Sequence, residues 1–264
     1  MDELAAVLEI AREAAGLLQE GAGRHHLAHT KLLPTDLVTD YDRRSEELIV
    51  RRLHAAFPGD QVLAEEGGLS GSSSARRWLV DPLDGTTNFA HGLPLFSVSI
   101  ALEVEGELEI GVVAAPALGW IFAAQRGAGA TCNGEPLRVS ETASLAESLL
   151  VTGFPYDRQT SAENNLAQFV ALQQRAQGVR RLGSAALDLA LVARGALDGY
   201  WEMKLRPWDL AAGTLLVREA GGVVTDWRGG GVAIDRGAAV ATNGRIHTQL
   251  LATLASLGIP PSAQ

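Results

Sequence analysis

The sequence predicts an α/β protein in which helices cover a mixed sheet. Three features carry that expectation: an amphipathic helix at the start, a middle third rich in Val and Ile strand patterns, and a second half in which short strands and helices alternate. Apolar residues make up 47% and charged residues 20% of the 264 positions, a composition that can bury a core and that excludes a disordered chain.

In chain order, Leu4, Val7, Leu8, Ala11, Ala15 and Leu18 recur at helical spacing, so residues 2–20 read as a helix stopped at Gly21. Thr39 and Asp42 have capping-box spacing with a short acid and open a second helix, which Pro58-Gly59 ends. Trp78-Leu79-Val80 reads as a short strand that stops at Asp81. Residues 97–104 and 107–115 form a hairpin across Glu105-Gly106, with further strands at 121–124 and 130–139. Helices then follow at 161–177, 184–193, 209–220 and 245–257, alternating with strands at 179–182, 197–202, 223–226 and 240–242. The seam falls near residues 140–147. It divides an N-terminal α+β half, 1–143, from a C-terminal α/β half, 144–264, within one compact unit.

Charge and composition exclude several functions. Lys plus Arg is 22 and Asp plus Glu is 31, a net charge of −9 that argues against sequence-independent nucleic-acid binding and against an anionic membrane surface. The least polar run, residues 111–124, contains Pro116 and is shorter than the ~20 residues a spanning helix needs. No basic segment followed by an apolar core opens the chain, and its one cysteine, Cys132, forms no internal disulfide; both fit a cytoplasmic protein. His25, His26 and His29 follow Gly21 and Gly23 and read as a solvated loop rather than a helical metal pair.

The chemistry concentrates in carboxylates. In Asp81-Pro82-Leu83-Asp84-Gly85-Thr86-Thr87-Asn88-Phe89, a strand delivers one acid, then proline, then a second acid, then glycine and two hydroxyls. Pro82 holds Asp81 extended, Gly85 permits a close backbone approach, and Thr86 and Thr87 fall where a helix start favours an anion. A metal-bridged phosphate fits this layout, and so does a capped turn between strand and helix. Glu65-Glu66-Gly67-Gly68 reads on its own as a solvated turn, and Asp209 after Pro207-Trp208 as an N-cap. If Glu65, Asp81, Asp84 and Asp209 converge, four negative charges require cations. An all-oxygen donor set selects Mg²⁺, with Mn²⁺ as a substitute, over Zn²⁺.

These segments resemble the inositol monophosphatase family. The run Asp81 to Phe89 resembles its first signature. Trp208-Asp209-Leu210-Ala211-Ala212-Gly213 with Glu219-Ala220-Gly221-Gly222 resembles its second. Ala64-Glu65-Glu66 is similar to its Gly-Glu-Glu element, with alanine for the usual glycine, and Thr35-Asp36-Leu37-Val38-Thr39-Asp40-Tyr41-Asp42 is similar to its N-terminal element. The resemblance covers nearly the whole chain, in order. It implies a layered αβαβα sandwich of the inositol monophosphatase and fructose-1,6-bisphosphatase type, and a Mg²⁺-dependent phosphomonoesterase. Carried over by position, Glu65, Asp81, Asp84, Asp209 and the carbonyl of Leu83 hold metal. Asp42 and Thr86 orient the attacking water, and Glu65 also belongs to the catalytic set. Gly85, Thr86 and Thr87 cradle the phosphate, and Lys31 lies in a mobile loop.

For the substrate, Gly183, Ser184, Ala185, Glu202 and Asp209 match positions that contact a phosphorylated polyol, and Glu202 favours myo-inositol monophosphate over the nucleoside bisphosphates. The alternatives are a broader phosphatase for fructose 1,6-bisphosphate, NADP, 3′,5′-bisphosphonucleotides or histidinol phosphate, and a non-catalytic regulatory role. Arg180, Arg181 and Arg206 suit more anionic substrates or surface contacts. The resemblance also implies a homodimer and inhibition by Li⁺.

Overall fold

A computed structural model of the chain describes residues 2–31, 33 and 35–260. Helices α1 (Glu3–Gly21) and α2 (Asp40–Ala56) pack on one face of a large sheet, and the short strands β1 (His29–Thr30) and β2 (Leu37–Val38) pair between them. The sheet contains β3 (Gln61–Ala64), β4 (Gly68–Ser70), β5 (Arg76–Asp84), β6 (Ser97–Val104), β7 (Glu107–Ala115), β8 (Trp120–Gln125), β9 (Gly129–Cys132) and β10 (Glu135–Pro136). Its order is β10-β9-β8-β7-β6-β5-β3-β4, antiparallel except where β3 runs parallel to β5. A one-turn helix, α3 (Thr86–Ala90), leaves the end of β5.

The second sheet contains β11 (Leu149–Thr152), β12 (Gly178–Arg180), β13 (Gly199–Glu202), β14 (Val223–Thr225) and β15 (Ala239–Thr242), in the order β12-β11-β13-β15-β14. Strands β11, β12 and β13 are parallel. On its outer face lie α4 (Leu166–Gln173) and α7 (His247–Ala255), and between the sheets lie α5 (Ala185–Ala193) and α6 (Pro207–Glu219).

The period-2 alternation of the strands sorts side chains into layers. Trp78 and Val80 face α1 and α2 while Leu79 faces α5 and α6; Val112 and Ala114 likewise oppose Val113 and Ala115. In the second sheet Leu150, Trp201 and Val240 join the outer cluster, while Val151, Tyr200, Ala239 and Ala241 face the central helices. Both faces of each sheet are therefore covered, and the fold is the layered αβαβα sandwich expected from the resemblance.

Several elements depart from the sequence reading. The strand expected at 130–139 is two short strands, β9 and β10, because Asn133 and Gly134 both take positive φ, 51° and 86°, in the turn between them. The helix expected at 161–177 shrinks to α4, because Asn165 sits at φ 65°. Its amide donates to Thr152 Oγ1 (2.8 Å) and the Gly153 carbonyl (2.7 Å), and its Oδ1 accepts from Trp201 Nε1 (2.7 Å). Strand β5 runs past Asp81 to Asp84, with a register irregularity between those two acids.

Two glycines set the central layer. A Cβ on Gly111 would stand 2.8 Å from the Ala212 carbonyl, so α6 rests directly on β7, and a Cβ on Gly213 would stand 2.5 Å from Leu189 Cβ, so α5 and α6 cross at close range. Gly213→Val is expected to destabilise the protein by about 1–3 kcal/mol through overpacking. An unchanged denaturant midpoint would refute that contact.

His247 is buried between two hydroxyls, with Nδ1 2.9 Å from Thr242 Oγ1 and Nε2 2.9 Å from Thr225 Oγ1. Burial holds its pKa below the usual value. The unfolded chain therefore takes up a proton first, and the stabilisation, complete above the unfolded pKa near ~6.5, is lost as pH falls below it. His247→Gln is expected to remove this part of the stability loss between about pH 7 and 5. Equal pH slopes for variant and parent would sink the assignment.

Candidate active site

The ends of the strands open into a cavity of about 610 Å³ walled by Glu65, Asp81, Asp84, Glu202 and Asp209 among others. Its residues come from the carboxyl ends of β3, β5, β11, β12 and β13 and from the amino ends of α5 and α6. Carboxyl ends of parallel strands are where open α/β sheets place ligands, and helix amino ends add positive dipole.

Each acid is held by its own element. Asp81, buried on β5, accepts the Leu83 N–H at 3.0 Å. Asp84 Oδ2 accepts from Ser184 Oγ (2.6 Å) and the Ala186 N–H (2.8 Å), which ties the end of β5 to the start of α5. Asp209 is not the N-cap that the sequence suggests: Pro207 opens α6, Arg206 is the cap, and Asp209 at the third position accepts the Arg206 N–H on Oδ2 at 2.7 Å, while Ser99 Oγ on β6 donates to the Trp208 carbonyl at 3.0 Å. Glu65 sits in the turn between β3 and β4. That turn is pinned by Glu46 of α2, whose Oε2 accepts the Glu66 N–H at 2.7 Å, and Gly67 leaves room for the Glu46 carboxylate.

Burial and mutual repulsion dominate the electrostatics. Burial, then Glu65, Asp84 and Asp209, push Asp81 well above the usual carboxylate range. Burial, then Asp84 and Glu65, do the same to Asp209. Glu65 is raised to about 7 by burial, with Lys31 opposing. Burial disfavours the charge on Lys31, but Glu65 and Glu66 outweigh it and hold the lysine above its ordinary value. Lys31 Nζ lies 2.7 Å from Glu65 Oε1 and also pairs with Glu66.

The donor set fits Mg²⁺ or Mn²⁺. It is all oxygen, it is acidic, and a lysine ammonium already stands against Glu65. As the side chains stand, no group of three or more His, Cys, Asp or Glu among the described residues is placed to hold a metal ion, so the acids would have to draw together around one. Like charges that repel at close range keep apart unless a cation joins them.

The remaining sequence candidates divide. Asp42 is buried and does not line the cavity; it reaches the site through Thr86, whose Oγ1 donates to Asp42 Oδ1 at 2.8 Å and to the Leu83 carbonyl at 3.0 Å. Asp42 Oδ2 meanwhile accepts the Thr39 N–H (2.7 Å) and hydroxyl (2.6 Å), so the expected capping box and the site share one carboxylate. Gly85, at φ 92°, packs so that a Cβ would stand 2.9 Å from the Leu95 carbonyl. Gly183, Ser184 and Ala185 line the same cavity. Thr87 is exposed and lines an adjoining cavity instead. His26 stacks on Phe89 and hydrogen-bonds the Gly21 carbonyl at 2.7 Å, a packing role.

Glu202 ends β13. Its pKa is raised to about 7, by burial first, and Tyr200 Oη donates to its Oε2 at 3.0 Å. A side chain at Gly153 would overlap its carboxylate, so that glycine makes the room. Sequence reasoning missed Glu46, Gly153, Tyr156 and Asp188. Of these only Asp188 carries a local signal, a lone acid inside the apolar run Ala185-Ala186-Leu187-Asp188-Leu189-Ala190.

The five layers and the acid-walled cavity define a layered α/β protein whose site suits cations and an anionic ester. The sequence model of the inositol monophosphatase family matches residues 1–258. The chain is 46% identical over 256 residues to an inositol-1-monophosphatase of Synechocystis, covering 94% of this chain and 88% of that one. It is 47% identical over 232 residues to the Nus factor SuhB of Pseudomonas aeruginosa, covering 86% and 85%. An inositol monophosphatase structure from Anabaena superposes with a TM-score of 0.88 at 43% identity, covering 98% and 96% of the two chains, and one from Thermotoga maritima with 0.89 at 38%, covering 97% and 98%. The chain belongs to the inositol monophosphatase family. Membership supports phosphatase chemistry on a phosphorylated substrate in a generally metal-dependent family. No helix among the described residues is long and apolar enough to cross a membrane.

Without added metal, Asp81→Asn is expected to raise stability by about 1 kcal/mol or more, because it removes one buried like charge while the amide oxygen keeps the Leu83 contact. A lower or unchanged melting temperature would show that repulsion does not govern the site.

Proposed function

We propose that this protein is a Mg²⁺-dependent phosphomonoesterase that hydrolyses myo-inositol monophosphate to inositol and phosphate. The carrying observation is one cavity that gathers Glu65, Asp81, Asp84 and Asp209 together with Glu202. In this reading Glu65, Asp81, Asp84, Asp209 and the Leu83 carbonyl hold the cations. When bound, Mg²⁺ neutralises phosphate charge and stabilises the leaving oxygen.

The protein's own groups do the rest. The Thr86 hydroxyl, already donating to Asp42, accepts a proton from the attacking water as Asp42 draws away its own. Glu65 serves the attacking water by holding the cation rather than by taking the proton. In this reading the backbone around Gly85 cradles the phosphate, and the amino end of α5 adds its positive dipole while its first N–H groups hold Asp84. Glu202 accepts a hydroxyl of the leaving polyol, its second oxygen engaged by Tyr200. Lys31 competes with a cation for Glu65 and must yield it as the site loads.

A second reading is supported by the name Nus factor SuhB on relatives such as that of Pseudomonas aeruginosa: a regulatory role beside or instead of turnover. The acid cluster favours turnover, since clustered buried charge is costly for a surface that only binds.

The test is phosphate release from myo-inositol 1-phosphate, fructose 1,6-bisphosphate, NADP, adenosine 3′,5′-bisphosphate and histidinol phosphate, each with Mg²⁺ or EDTA. Mg²⁺-dependent turnover with preference for the inositol ester is expected, and Asp84→Asn should lower it at least ~10³-fold through lost charge stabilisation. Preference for another ester would replace the substrate; full activity in Asp84→Asn would overturn the site.

A further inference from the structure

Asp188 lies one turn into α5, on the same cavity as Glu202. It is 1% exposed, and its Oδ1 is buried with no hydrogen-bond partner among the described residues. The Tyr200 hydroxyl, whose pKa burial, then Glu202 and Asp188, raise, donates to Glu202 Oε2 instead. The helix around it is apolar and offers only backbone N–H groups that serve α5 itself; the Asp188 N–H goes to the Ser184 carbonyl at 2.9 Å. A buried carboxylate oxygen left unpaired costs stability, and natural structures rarely keep one without a partner that arrives later. Asp188 lines the cavity, so a partner that reaches its carboxyl arrives from that side.

We propose that Asp188 is a second hydroxyl acceptor for the substrate, pairing with Glu202 to grip two hydroxyls of a polyol leaving group. The inference rests on the phosphomonoesterase reading above and extends it to specificity. The ligand class follows from the charges around the pair. Arg181 lines the cavity and acts on both carboxylates, so an added cationic group would meet a guanidinium already there, whereas neutral O–H donors meet two acceptors. Gly153, by leaving space beside the Glu202 carboxylate, keeps that part of the wall open. Among the described residues no hydrogen bond joins the Asp188 side chain to Thr86 or Asp84, so its loss is expected to fall more on the leaving group than on the phosphate.

The test compares kcat/KM of the parent, Asp188→Asn and Asp188→Ala, with Mg²⁺, on myo-inositol 1-phosphate and on p-nitrophenyl phosphate, which carries no hydroxyls. Asp188→Ala is expected to lower the inositol-ester value about tenfold or more beyond any loss on the aryl ester, and to weaken product inhibition by free myo-inositol to match. Asp188→Asn, which keeps one acceptor and the side-chain shape, is expected to retain part of the preference; if Asp188→Ala does not fold, the ratio in Asp188→Asn decides. Equal losses on both esters, or no loss, with the parent still preferring the inositol ester, would overturn the role of Asp188 alone. A parent that shows no preference between the two esters would overturn the polyol reading itself, and this inference with it.

Discussion

Mutual repulsion among buried carboxylates is the constraint on which the rest of this structure depends. Asp81 and Asp84 from β5, Glu65 from the β3–β4 turn and Asp209 from α6 enter one cavity from three segments; burial drives their pKa values up, with neighbouring carboxylates adding to it at Glu65, Asp81 and Asp209. A fold that holds such a set without help would spread it or protonate it. This one supplies partial compensation from its own parts: the Lys31 ammonium, the amino ends of α5 and α6, and backbone N–H groups on Asp81, Asp84 and Asp209. In the reading proposed above divalent cations would complete the compensation, and the charge cluster would then be a site rather than a defect.

Holding those acids in place is the work of the central layer. Helix α6 can bring Asp209 to the end of β5 because Gly111 lets it lie against β7, and α5 can bring Ser184 to Asp84 because Gly213 lets the two helices cross closely. Asn88 adds a strut, donating to the Leu95 and Leu182 carbonyls at 2.6 and 2.7 Å and so joining α3 to the loop before α5. On the outer side Glu46 fixes the turn that carries Glu65. Small residues and buried polar contacts outside the cavity thus set its geometry, which is why substitutions far from the acids reach them.

The cavity gathers two sets of acids. Glu65, Asp81, Asp84 and Asp209 come from the β3–β4 turn, β5 and α6, while Glu202 and Asp188 come from the end of β13 and from α5, with Gly153 after β11. In the proposed reading the first set takes cations and phosphate, and the second takes the hydroxyls of a polyol leaving group.

Much of this was legible in the chain itself. Apolar periodicity located α1, the β6–β7 hairpin and α5 to α7 within a few residues, because those segments bury a face whose spacing is local. The Thr39–Asp42 cap and the runs around Asp81 and Asp209 were also local, since proline, glycine and acid spacing act over a handful of residues. Tertiary structure alone decided the rest. It broke the expected helix at Asn165, whose left-handed backbone is held by Thr152, Gly153 and Trp201 from other segments. It also took Thr87 out of the main cavity, brought Asp188 to its wall and set Glu46 behind the turn that carries Glu65. Periodicity states which side of an element is buried, and only the packing of one element on another determines what it is buried against.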